Sequence, residues 1–141
     1  MAPTHSTGLK DYNNNLTKAG WDADGRISYY TGTKPASANS APTGTLLCTF
    51  TLAQAAYGAS SGGLITANAI ADTTAVAGGT IGWGRKHLAG DAGTTNTTDR
   101  RVDFSITMPG ADPLGDMILD NTAVVPGQTV TLDSLNYQHA E

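Results

Sequence analysis

The apolar residues of this chain follow two rhythms. Over the first twenty residues, Leu9, Tyr12, Leu16 and Ala19 recur three and four positions apart, the spacing of one helix face. Ser6 stands where an N-cap belongs and Gly20 where a helix stops, so the spacing predicts one short helix even though Asn13, Asn14 and Asn15 are poor helix formers. Beyond Trp21 the period falls to two. Residues 26–30 put Ile27 and Tyr29 on one face; residues 45–52 put Leu46, Cys48, Phe50 and Leu52 inward, with Thr49 and Thr51 outward. Residues 63–70 and 79–85 read as shorter strands, the second with Ile81 and Trp83 together. The cleanest alternation is 101–107, with Val102, Phe104 and Ile106 inward and Asp103, Ser105 and Thr107 outward. Residues 116–119 and 129–135 complete the set, and Pro126-Gly127 between them is a type II turn signal.

Short strands separated by Gly, Asn and Pro predict an all-β fold, a jelly-roll-like β-sandwich of about 7–8 strands with a short N-terminal helix or arm. Residues 1–20 form the arm in this reading and residues 21–141 the sandwich domain. The stretches 34–44 and 87–99 are long loops for a compact domain and are expected to become ordered on contact with a partner.

Charge changes this picture. Only 14% of the residues are charged, against about 25% in an ordinary soluble domain. Two explanations fit: strand faces kept wet by Thr hydroxyls, or a surface meant to lie against other protein, where charge is depleted. The net charge is −4. The basic residues are scattered, with Arg85-Lys86 and Arg100-Arg101 the adjacent pairs, so no basic cluster exists for direct binding of nucleic acid. One cysteine, Cys48, excludes an internal disulfide framework and a Cys-based zinc site; its alternation with apolar neighbours makes it a buried small hydrophobe. Residues 1–12 contain no apolar signal region and no stretch is long enough to span a membrane, so the chain reads as made and kept in a cytosol. The sequons at Asn15 and Asn96 then carry no glycan.

Candidate chemistry is sparse. His5, His87 and His139 stand far apart, none at ligand spacing, and read as surface residues. Asp22-Ala23-Asp24-Gly25 is a fragment of a calcium loop without its remaining ligands. No G-x-S-x-G elbow occurs, and residues 58–63 (Gly-Ala-Ser-Ser-Gly-Gly) read as a flexible turn rather than a phosphate loop. No catalytic, metal-binding or cofactor-binding residue is assigned, and an enzyme is not expected. Among the aromatics, Tyr29 and Trp83 belong to the core, while Trp21, at the junction of helix and sheet, and the outward-alternating Tyr30 are candidate interface anchors.

The segment from Gly25 through Tyr29-Tyr30-Thr31-Gly32-Thr33-Lys34-Pro35-Ala36, followed by Thr45-Leu46-Leu47, resembles a group of small tailed-phage virion proteins. In these a short helix precedes a strand ending in a Y-x-G-x-x-P-A turn and then a T-L-L strand. Residues 60–70 and 121–135, with the Val-Pro-Gly-Gln turn, fit as well. Within that group the chain is most similar to capsid cement, or decoration, proteins, in particular those of Bordetella-infecting podophages. The resemblance implies a jelly-roll homodimer on the outside of a capsid built from an HK97-like major capsid protein, with no membrane partner. It carries over no side chain. Leu9, Tyr12, Leu16, Trp21 and Tyr30 are the candidate protein-contact residues. A rival reading from another class is a carbohydrate- or receptor-binding module of a phage head or tail fibre, since sandwiches host both roles.

Overall fold

The structure, a computed structural model, describes residues 4–22, 24–107, 117–119, 121–133 and 135–137. The candidates at 116 and at His139 lie outside the described residues. Among the described residues the fold is all-β apart from one helix, α1 (Thr7–Ala19). Ten strands are present among the described residues: β1 (Gly25–Thr31), β2 (Leu46–Thr51), β3 (Ile65–Thr66), β4 (Thr73–Thr74), β5 (Gly79–Leu88), β6 (Val102–Thr107), β7 (Met117–Ile118), β8 (Ala123–Val124), β9 (Thr129–Val130) and β10 (Asn136–Tyr137). Six of these are two residues long, so the expected strand over 63–70 shrinks to β3, and 129–135 to β9. The pieces β4 and β8 escape the pattern altogether, being too short to show alternation.

The chain forms two compact units, one from described residues of Met1–Gly25, Thr51–Ala71 and Leu132–Glu141, the other from Arg26–Phe50 and Asp72–Thr131. Within the first unit α1 packs with later segments of the chain, β3 among them. Ser6 caps α1 as expected, its hydroxyl accepting from Leu9 N at 3.3 Å, and Gly20 closes it. β3 pairs antiparallel with β10 in this unit. Residues 58–63 are not a loose turn. Ser61 and Leu64 exchange two backbone hydrogen bonds (3.0 and 3.2 Å) across Gly62-Gly63, both at positive φ (65° and 80°), as a two-residue hairpin of type I′ demands.

The second unit holds nearly all of a sheet ordered β2-β1-β5-β6-β7, with β8 pairing the start of β5 at Gly79 and Thr80. β5 is antiparallel to β6, and β6 is parallel to β7. A separate antiparallel pair joins β4 to β9. The Pro126-Gly127 turn forms as read, with Gln128 N donating to Val125 O at 3.1 Å and Gly127 at φ 82°. On one face of the sheet Ile27, Tyr29, Cys48 and Phe50 are fully buried, and Tyr29 meets Phe50 edge-on at 5.4 Å.

The opposite face is covered too, and this overturns several inward and outward assignments. Leu46 is exposed while Leu47 is buried, and on β6 Val102 is exposed while the Asp103 side chain is buried. A strand covered on both sides loses the link between alternation and solvent.

Candidate functional site

What covers the second face is polar. Along β5 the side chains of Trp83, Arg85 and His87 share it with Ser28 and Tyr30 of β1 and Asp103 of β6. Tyr30 stacks on Trp83 at 4.5 Å, with the Arg85 guanidinium 5.5 Å from the indole centroid. Arg85 grips Asp103 through Nε (2.7 Å) and Nη2 (2.8 Å) and donates to the Ser40 carbonyl at 3.0 Å. Arg101 grips Asp91 through two bonds of 2.5 Å, reaches Asp99 at 3.0 Å, and donates to the carbonyls of Ala38, Ser40 and Thr94. Both guanidinium side chains are almost wholly buried, so these two cations, scattered in the sequence, are interior struts. The loops 32–45 and 89–101 are held by these struts and by each other, with Asn96 N donating to Asn39 O at 2.9 Å. Their order comes from within the chain, contrary to the expectation that a partner supplies it.

His87 is half-buried and bonded at both ring nitrogens. Its Nδ1 faces the Leu88 carbonyl at 2.9 Å, which assigns the ring proton to Nδ1 and leaves Nε2 to accept from Ser28 Oγ at 2.9 Å. The Ser28 hydroxyl lies a further 2.9 Å from Thr49 Oγ1. A serine on a histidine is the start of a nucleophilic pair. Here the serine is buried in mid-strand, and the bonds tie β1, β2 and β5 together. Lys86, on the other side of β5, is buried, which pushes its ammonium down to about 7.

A small open cleft of about 120 Å³ lies over this cluster, lined by Tyr30, Pro42, Arg85, His87, Asp91, Ala92 and Gly93. Ligand pockets are typically some 300–1,000 Å³. Both carboxylate oxygens of Asp91 are already engaged, one also accepting from Gly93 N at 2.8 Å. Among the described residues no group of His, Cys, Asp and Glu is assembled to hold a metal ion, and no buried side-chain polar atom lacks a partner. The Arg101 guanidinium holds the Asp91 carboxyl down to about 2, from 3.8. A carboxyl lowered in the folded state stabilises the fold above its unfolded value and loses that contribution as the pH falls through the folded one. Thermal melts should therefore show stability dropping between about pH 4 and pH 2. In Asp91→Asn that component should be absent.

Large apolar side chains are exposed in both units. In the first unit Leu9, Tyr12 and Leu16 are 44%, 61% and 58% exposed along one side of α1. Trp21 is buried among the core residues and offers a partner nothing, because the chain turns inward after Gly20; Tyr30 is half-buried against Trp83. In the second unit the sequence reading missed a larger feature. Within this unit, residues 35–50 and 72–84 carry one charged residue, Asp72, and 121–131 carry none. Parts of these segments are bonded side by side: Val76 N donates to Leu47 O, Thr73 Oγ1 to Thr49 O, Ala75 N to Gln128 O, and Gly127 N to Ala75 O. This neutral surface exposes Leu46, Val76 (69%) and Val125 (63%). A count of charge along the chain, rather than in total, would have found it.

Compared with protein-family models, with characterised proteins and with solved structures, the chain matches none. No helix among the described residues is long and apolar enough to cross a membrane.

Proposed function

We propose that the chain is a structural virion protein that binds the outside of an icosahedral phage capsid and cements its lattice of HK97-like major capsid protein. In this reading its fold is a jelly-roll-like sandwich and its working form a homodimer. The observation that carries it is the neutral surface around Leu46, Val76 and Val125. Charge is depleted where protein meets protein, and exposed valines gain nothing in a free monomer. The exposed Leu9, Tyr12 and Leu16 support the same reading. The buried cluster adds to it, because its polar groups hold loops in place and leave little to grip a substrate.

A cement protein acts by mass action. It binds the assembled shell and not the free subunit, so each copy bound stabilises the shell. A dimer presents its patch twice, which suits twofold positions of a lattice.

Copy number per purified particle, measured against the major capsid protein, tests the proposal. Hundreds of copies at a fixed ratio support it; a dozen or fewer would move the protein to a tail or fibre. A second expected result is that Val76→Asp with Val125→Asp cuts particle attachment by about tenfold or more, since each carboxylate must be desolvated on docking. The melting temperature of the free protein should hold, both side chains being exposed. Unchanged attachment would remove this surface from the account.

A further inference from the structure

Helix α1 is inside out. A surface helix ordinarily turns its apolar stripe to the core, whereas here Leu9, Tyr12 and Leu16 face outward and the fully buried side chain is Asn14. The polar side chains converge on one place, the Ser60–Gly63 hairpin. Asn14 Nδ2 donates to Gly63 O at 2.8 Å and to Ser60 Oγ at 3.2 Å. Asp11 Oδ1 accepts from Ser60 Oγ at 2.7 Å and from Gly63 N at 2.8 Å, and Asn15 Oδ1 accepts from Ser60 N at 3.0 Å. The Lys10 stem completes the contact over Gly63, where a Cβ would come within 3.3 Å of it. Thus three polar side chains of the helix fasten by hydrogen bonds to two residues of one tight turn, while the apolar stripe packs on nothing in the core. Hydrogen bonds are weak net contributors individually, and thirteen residues are too few for a helix to persist alone in water.

We infer that the Ser60–Gly63 hairpin is a clasp and that α1 undocks from it as a unit, while the strands of the second unit stay closed. The clasp fixes which side of the helix faces outward, so that the apolar stripe is presented while docked and the whole helix is released when the clasp opens. Elements that move for binding come from the least stable part of a fold, and α1 has the features of one. The inference does not rest on the virion reading, since it concerns the chain in isolation.

Hydrogen exchange of the purified chain, followed amide by amide, tests it. The α1 amides should exchange together, at least about a hundredfold faster than those of β1 and β5. Ser60→Ala, which removes the hydroxyl shared by Asp11 and Asn14, should quicken the α1 amides roughly tenfold and leave β5 unchanged. Leu16→Ala, on the exposed stripe, should leave the α1 rate within about threefold. Protection of α1 equal to that of β5 in the unaltered chain would overturn the inference. So would a Ser60→Ala effect that spreads equally over both units.

Discussion

Arg101→Ala should lower the free energy of unfolding by about 3–5 kcal/mol, the range for removing one partner of a buried ion pair. The loss is large because the guanidinium does three tasks at once. It neutralises Asp91, which is itself almost fully buried, satisfies carbonyls of the 32–45 loop, and closes the 89–101 loop onto Asp99 and Thr94. Alanine leaves an uncompensated carboxylate and several carbonyls without donors. Lysine should not rescue it, because a point charge cannot match a planar two-bonded carboxylate. Urea unfolding monitored by tryptophan fluorescence gives the number, and a loss below about 1 kcal/mol would show the pair to be screened like a surface bridge.

Gly82→Ala should be at least as severe, about 3 kcal/mol or more, through crowding. A Cβ at this position would lie 1.9 Å from the Gly32 carbonyl oxygen and 2.9 Å from its carbon, backbone atoms that cannot swing aside. Gly84 provides the comparison. Its Cβ would meet Phe104 Cε2 and Cζ at 2.6 Å and Tyr29 Cδ1 at 3.0 Å, all atoms of side chains, and the Phe104 ring is only half-buried. Alanine at 82 should therefore abolish or strongly depress expression of folded protein, while alanine at 84 should yield a folded, less stable protein. The same melt performed on both variants decides it, and equal effects would refute the backbone argument.

These two sites mark where the sequence was and was not legible. The helix, its Ser6 and Gly20 caps, the inward Ile27, Tyr29, Ile81 and Trp83, the buried Cys48 and the Pro126-Gly127 turn all follow from local rules, and each is present. Leu46 and β6 misled because the second sheet face is covered by loops, so polar alternation no longer means solvent. Arg85 and Arg101 misled for a related reason. Their partners lie 18 and 10 residues away, and half of the bonds go to carbonyls, which have no side-chain signature. Of the five contact candidates, the three on α1 are exposed, where apolar residues at helical spacing ordinarily face the core. Trp21 is buried, because position at a junction says nothing about which way the ring turns.

The chain's sole thiol has a use of its own. Cys48 is wholly buried in β2, and burial pushes its thiol up to about 11, so almost none is ionised at neutral pH and no reagent reaches it in the closed sheet. Its alkylation is thereby tied to opening of the sheet, which makes this one sulfur a natural stopwatch for unfolding, with no label or engineered probe required.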